Sequence, residues 1–351
     1  MYDYDRSNFI AFLKNFPHQI HTSLKLMKDF TADYDTAKIK NIIISGMGGS
    51  AISGDLLLGY TSEELKIPAI VNRDYSLPGF ANKNTLFIAV SYSGNTEETL
   101  SAMQKAMKKS AMIIGLSSGG KVEEICSNHS FPHIKIEAGL PPRQALGHLF
   151  FPLLALFEKL ELVPSQKKQV AETEHVLHEL MDRYDPVKSQ GNNLANHIAQ
   201  SIYHAIPIIY TGVSSLHAVP VRWRNQFNEN SKALAFSNVF PELNHNEIMG
   251  WEGTAEVNQQ FRVIFLRDSG ENDRVKQRIK ITKEILRSKR ILFGEIFAEG
   301  KSRLSRLFSL IYTGDWASYY LALLNEKDPI KIDSIDHLKK ELSKTELSIE
   351  N

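Results

Sequence analysis

Residues 225–251, NQFNENSKALAFSNVFPELNHNEIMGW, set a carboxylate, Glu229, ahead of an imidazole, His245. These are the two side-chain types best suited to moving protons near neutral pH. Asn228, Asn230, Ser231, Asn244 and Asn246 lie close to them in sequence and offer groups able to orient a polar side chain. Alone, the pair also fits an ordinary helix end and a surface loop.

Two loops upstream carry a different chemistry. Residues 45–50, SGMGGS, follow a short β-branched apolar run and precede a helical stretch. Gly48 and Gly49 let backbone come close to a ligand, Ser50 adds a hydroxyl, and the helix start offers free N–H groups. Residues 91–96, SYSGNT, repeat that arrangement with Ser91, Ser93 and Thr96, and Asn95 with Glu98 predicts a capping box. Uncharged donors without a nearby lysine suit one phosphate monoester better than a triphosphate, and the P-loop pattern is absent. Gly46, Gly48 and Ala51 also match the dinucleotide fingerprint, with Asp74 at the ribose-binding position. An NAD-dependent oxidoreductase is therefore an alternative, although it has no need of the second hydroxyl-rich loop. His129 and His133 are separated by a span containing Pro132, which spoils a helical metal pair, and no HExxH pattern occurs. No metal and no cofactor are expected.

These groups need a scaffold. Residues 42–45, 68–72, 85–90, 111–116 and 133–136 read as strands, with helices between them. Continuous apolar strands alternating with helices predict a parallel sheet covered on both faces, with both loops at its carboxyl edge. One or two helices interrupted at Pro17 precede it, and an apolar helix over 143–160 closes the unit. Residues 163–204 are polar and helical, broken at Asp185-Pro186. A second alternation then begins, with strands at 206–211, 234–237, 261–266 and 290–297 and a long helix over 302–324. Trp223 and Trp251 read as core. The division is drawn as 1–160 for a first domain with leading helices, and 161–351 for the connector and a second domain with C-terminal helices.

At 351 residues with 42% hydrophobic and 23% charged content, the composition is that of a soluble globular chain of about two domains. A net charge of +1 gives no bulk attraction to nucleic acid or anionic membrane. The single cysteine, Cys126, fits a reducing compartment. The polar start and the lack of a long apolar run point to the cytoplasm.

SYSGNTEET at residues 91–99 resembles the sugar-phosphate loop of sugar isomerase (SIS) domain proteins. Together with GMGGSAISGD, Pro141-Pro142-Arg143, residues 228–232 and residues 244–251, the chain resembles the bifunctional phosphoglucose/phosphomannose isomerases over about residues 42–339. That resemblance implies two doubly wound α/β SIS domains, each a mainly parallel five-stranded sheet flanked by helices. It also implies a homodimer with shared active sites and hexose 6-phosphate substrates. The phosphate contacts fall on Gly48, Gly49, Ser50, Ser91, Ser93 and Thr96. Glu229 is the implied catalytic base, Arg143 the cation facing the reacting carbons, His245 the histidine donated by the neighbouring subunit, and Lys339 the lysine of the final helix. The implied reaction is aldose–ketose isomerisation through a cis-enediol. A non-catalytic sugar-phosphate-binding regulator would keep the serine loops but has no use for Glu229 and His245, and residues 1–40 hold no basic helix-turn-helix.

Overall fold

The computed structural model describes residues 2–189, 191 and 193–344. Among these residues, nine parallel strands form two sheets. The first five are β1 (Asn41–Ser45), β2 (Ala69–Asn72), β3 (Thr85–Val90), β4 (Met112–Ser117) and β5 (His133–Lys135), in spatial order β2-β1-β3-β4-β5. The others are β6 (Ile206–Thr211), β7 (Phe236–Val239), β8 (Phe261–Arg267) and β9 (Leu292–Phe297), in order β7-β6-β8-β9. All pairings are parallel, and the two orders match strand for strand until the second sheet stops.

The helices are α1 (Ile10–Met27), α2 (Gly48–Thr61), α3 (Glu97–Lys108), α4 (Gly120–Asn128), α5 (Leu146–Lys159), α6 (Lys167–Tyr184) and α7 (Leu194–Ile202). They continue with α8 (Ala218–Glu229), α9 (Ala255–Asn258), α10 (Asp273–Ser288), α11 (Arg303–Leu324) and α12 (Asp333–Leu342). Every residue of β3 is buried, as a strand covered on both faces requires. One core joins α1, α5, α6, α8 and α11 to both sheets, while smaller clusters sit under α3 and α4 and under α10.

The structure differs from the sequence reading in two places. The second sheet has four strands among the described residues, where five were expected. After β9 the chain turns at Ala298-Glu299-Gly300 and enters α11 directly, with Ser302 capping the helix through Ser305 N–H. Pro17, expected to interrupt the leading helical segment, lies inside a single α1. An interior proline costs about 3 kcal/mol. Burial of Leu13, Phe16, Ile20 and Met27 on one face contributes roughly 1.5–3 kcal/mol for each side chain, so packing outweighs the lost hydrogen bond.

Candidate active site

The two hydroxyl-rich loops meet at the carboxyl edge of adjacent strands, since Ser45 of β1 registers with Ala89 of β3. Both following helices start without a side-chain cap: α2 after Met47 and α3 after Thr96. Their first N–H groups therefore have no side-chain partner and are available to an anion. Ser50 Oγ accepts from Tyr92 N–H at 3.2 Å, and the hydroxyls of Ser91 and Thr96 lie 2.8 Å apart, so the loops are cross-linked. Ser93 Oγ accepts from Asn95 N–H at 3.3 Å. Gly48 has φ +50° with open space where a side chain would stand, and Gly46 has no room for one because Val90 O would lie 2.8 Å from its Cβ. The expected capping box is absent. Asn95 Oδ1 accepts instead from Lys121 N–H at 3.1 Å, bracing this loop against α4, and Thr96 becomes the N-cap.

The first loop also abuts the segment that carries Arg143. A Cβ on Gly49 would come within 2.9 Å of Pro142 O, so only glycine allows this approach. Tyr92 hydroxyl accepts from Leu140 N–H at 2.8 Å and fixes the chain just ahead of that segment. Arg143 is 5% exposed. Its Nε donates to Asn230 Oδ1 at 2.6 Å, and Nη2 donates to Pro329 O at 2.8 Å and Ile330 O at 3.1 Å. The guanidinium lies 5.8 Å from the centre of the Phe9 ring. Nη1 then stands 3.5 Å from Glu229 Oε2. Burial lowers the Arg143 pKa from its ordinary value while Glu229 opposes that shift; a guanidinium stays charged regardless.

Glu229 is the last residue of α8, half-buried, with its side chain 31% exposed. Behind it runs a buried polar set. Arg222 of α8 makes a two-pronged ion pair with Asp315 of α11 at 3.0 and 2.6 Å, Gln226 Nε2 donates to the same carboxylate at 2.9 Å, and Arg222 Nη2 also donates to Arg143 O at 3.1 Å. Asn230 Nδ2 donates to Ser318 Oγ at 2.9 Å, so Asn230 orients Arg143 rather than Glu229. Three elements distant in sequence thus converge on one guanidinium.

Two expected members stand apart. His245 lies exposed on the 3-10 turn Glu242–His245, and Lys339 lies exposed on α12. Among the described residues neither side chain makes a hydrogen bond or ion pair with Glu229 or Arg143. The nearby Asn246 Nδ2 donates to Glu242 Oε1 and Asn244 Nδ2 to Thr282 Oγ1, so these amides brace the His245 turn. Asp74 Oδ1 accepts from Ser76 N–H at 3.3 Å and closes its own turn. Among the described residues no group of three or more His, Cys, Asp or Glu is arranged to hold a metal ion, and no helix is long and apolar enough to cross a membrane.

The sequence reading missed Phe9, Arg222, Asp315 and the turn at residues 328–330. An arginine and an aspartate at core positions of apolar-patterned helices were the available signal for Arg222 and Asp315, since buried charges require partners. Nothing local marks residues 328–330, which act through main-chain carbonyls.

A parallel sheet in the order β2-β1-β3-β4-β5, a second that repeats its first four positions, and a carboxylate beside an arginine make this a doubly wound α/β protein of two similar halves. Residues 191–342 match the bacterial phospho-glucose isomerase C-terminal SIS domain. A bifunctional phosphoglucose/phosphomannose isomerase of Caldicellulosiruptor bescii is 43% identical over 329 residues, covering 94% of this chain and 97% of the relative. One from Thermoplasma acidophilum is 38% identical over 325 residues, covering 91% and 96%. A solved structure of a hypothetical protein from Thermus thermophilus superposes with a TM-score of 0.77 at 14% identity, covering 98% of this chain and 91% of that one. The chain belongs to the bifunctional phosphoglucose/phosphomannose isomerase family.

Proposed function

We propose that the protein interconverts glucose 6-phosphate, and mannose 6-phosphate, with fructose 6-phosphate. The observation that carries this reading is the shared wall between the anion loops and the acid–base pair. Gly49 rests on Pro142, and the next residue, Arg143, faces Glu229. A phosphate on Gly48, Gly49, Ser50, Ser91, Ser93 and Thr96 would anchor the far end of the sugar and spend its binding energy on orienting C1 and C2.

In the open-chain aldose, the Glu229 carboxylate removes the proton on C2. The electron pair moves into a C1–C2 double bond, and the C1 oxygen becomes an enediolate oxygen beside Arg143. The same proton returns to C1, the C2 hydroxyl passes its own proton to the C1 oxygen as the C2 carbonyl forms, and the ketose results. Fixed positive charge at the developing oxyanion is the preorganised electrostatic contribution. His245, with Lys339, would move the ring-oxygen proton during ring opening, with His245 supplied by the second subunit of a homodimer. The exposure of both residues supports that reading, as does α12, which has no buried residue although Ile335, Leu338 and Leu342 share one face.

We read residues 1–160 and 161–351 as two sugar isomerase units, supported by the separate sheets. The free, buried Cys126 suits a cytoplasmic setting. A coupled assay following fructose 6-phosphate from each hexose 6-phosphate tests the function. Turnover of neither substrate by the purified protein would overturn it.

A further inference from the structure

Lys232 belongs to neither anion loop and not to the acid–base pair, yet its ammonium sits among the atoms that hold that pair. It follows the end of α8 with φ +52°, a left-handed conformation that side chains other than glycine rarely adopt. Nζ donates to Glu229 O at 2.9 Å, Asn230 O at 3.1 Å, Asp328 O at 3.0 Å and Pro329 O at 3.3 Å. The first two carbonyls end the helix that carries Glu229, where positive charge is favourable. The other two belong to the turn that holds Arg143, and Pro329 O accepts from both cations.

We propose that Lys232 is a positioning residue for the isomerisation, its ammonium joining the C-terminal end of α8 to the 328–330 turn and so fixing the separation of Glu229 from Arg143. The inference rests on the proposed roles of those two residues. Asn230 and Arg222 of α8 also bond to Arg143, but neither side chain bonds to the 328–330 turn. Misplacement of reacting groups by 1 Å costs on the order of 100-fold in rate.

Lys232 is an exposed residue, and its ammonium lies against four carbonyl oxygens. The charged groups facing it are Arg143, Glu229, Asp328 and Asp333. Desolvation and the Arg143 charge push the Lys232 pKa down to about 8, against the pull of the three carboxylates. A neutral amine offers two N–H donors and no charge to four acceptors, so the joint loosens as the proton leaves.

The test is steady-state isomerisation of glucose 6-phosphate from neutral to alkaline pH by wild type, Lys232→Met, Lys232→Arg and Glu229→Gln. Wild type should show an alkaline decline in kcat centred near pH 8. Lys232→Met should lose about tenfold or more in kcat with KM within about threefold. Lys232→Arg, which keeps the charge and does not titrate in this range, should recover part of kcat and lose the decline. Wild-type kcat in Lys232→Met, or an unchanged decline in Lys232→Arg, overturns the proposal, and the arginine variant decides if the methionine variant does not fold. Wild-type turnover in Glu229→Gln would overturn the base assignment instead, a separate failure.

Discussion

Arg143 Nη1 lies 3.5 Å from Glu229 Oε2, a contact between a 3-10 turn in the first half of the chain and a helix end in the second. The distance is long for a tight ion pair. Nε and Nη2 are committed to Asn230, Pro329 and Ile330, so the guanidinium is held by other partners and does not need the carboxylate. In the proposed mechanism Glu229 keeps its lone pairs for a proton, and the fixed positive charge of Arg143 sits beside the place where the proton leaves. That is the division of labour an enediolate mechanism requires.

Replacing Glu229 by Gln keeps the shape but removes the proposed base. Turnover of glucose 6-phosphate should fall by about 10²–10⁴-fold with KM changed little. The coupled assay reads both. A variant with undiminished kcat would show that another group takes the proton.

Arg143→Lys tests whether geometry or charge alone matters. An ammonium cannot serve Asn230, two carbonyls and the carboxylate in one plane as the guanidinium does. Loss of about 10–100-fold in kcat is expected, with substrate affinity largely kept, because the arginine acts on charge that develops after binding. Equal losses in kcat and affinity would instead make Arg143 a ground-state binding residue.

Much of this architecture was legible in the sequence because its causes are local. Residues 42–45 and 85–90 are runs of β-branched and apolar residues ending in glycine or serine, which specify buried parallel strands and the loops that follow. Residue type singled out Glu229 and the resemblance supplied Arg143 and the two roles, but neither gave the partners that fix them. Asn230 looked like a companion of Glu229, whereas its amide turned to Arg143 through contacts that only tertiary packing creates. The capping box failed because Asn95 found a better partner in Lys121 N–H across the sheet edge. The missing fifth strand of the second sheet reflects a connection too short for one, between Phe297 and Arg303.

The anion loops predict a distinct phenotype. Ser91→Ala combined with Thr96→Val removes the hydroxyl pair that lies 2.8 Å apart at the start of α3. Hydrogen bonds to a charged ligand are worth about 1.5–3 kcal/mol each, so loss of both should raise KM for hexose 6-phosphates roughly 100-fold or more. Inorganic phosphate should inhibit wild type competitively and this variant far more weakly. Undiminished phosphate inhibition would locate the anion elsewhere.

The buried pair behind the site bears on stability as well as position. Asp315→Ala removes the carboxylate that pairs with the buried Arg222 guanidinium and leaves it the Arg143 carbonyl. Breaking a buried ion pair from one side costs about 3–5 kcal/mol, which denaturant unfolding would register as a large fall in the midpoint. A loss under about 1 kcal/mol would mean that water reaches Arg222 in the variant.

His245 and Glu229 do not meet within one chain, so the proposed subunit sharing makes a prediction that mutation of either alone cannot. Glu229→Gln and His245→Ala chains should each be nearly inactive as homodimers. In a mixed dimer, one site draws Glu229 from the second chain and His245 from the first, and is intact, while the other site lacks both. Random pairing of co-expressed chains makes half the dimers mixed, each with one working site of two, so roughly a quarter of wild-type activity should return. Substituting Leu338 and Leu342, 57% and 53% exposed on α12, by polar residues should weaken both dimerisation and this recovery if that helix packs against the second copy. Activity of the mixture no greater than its components would place His245 in its own subunit's site or outside catalysis altogether.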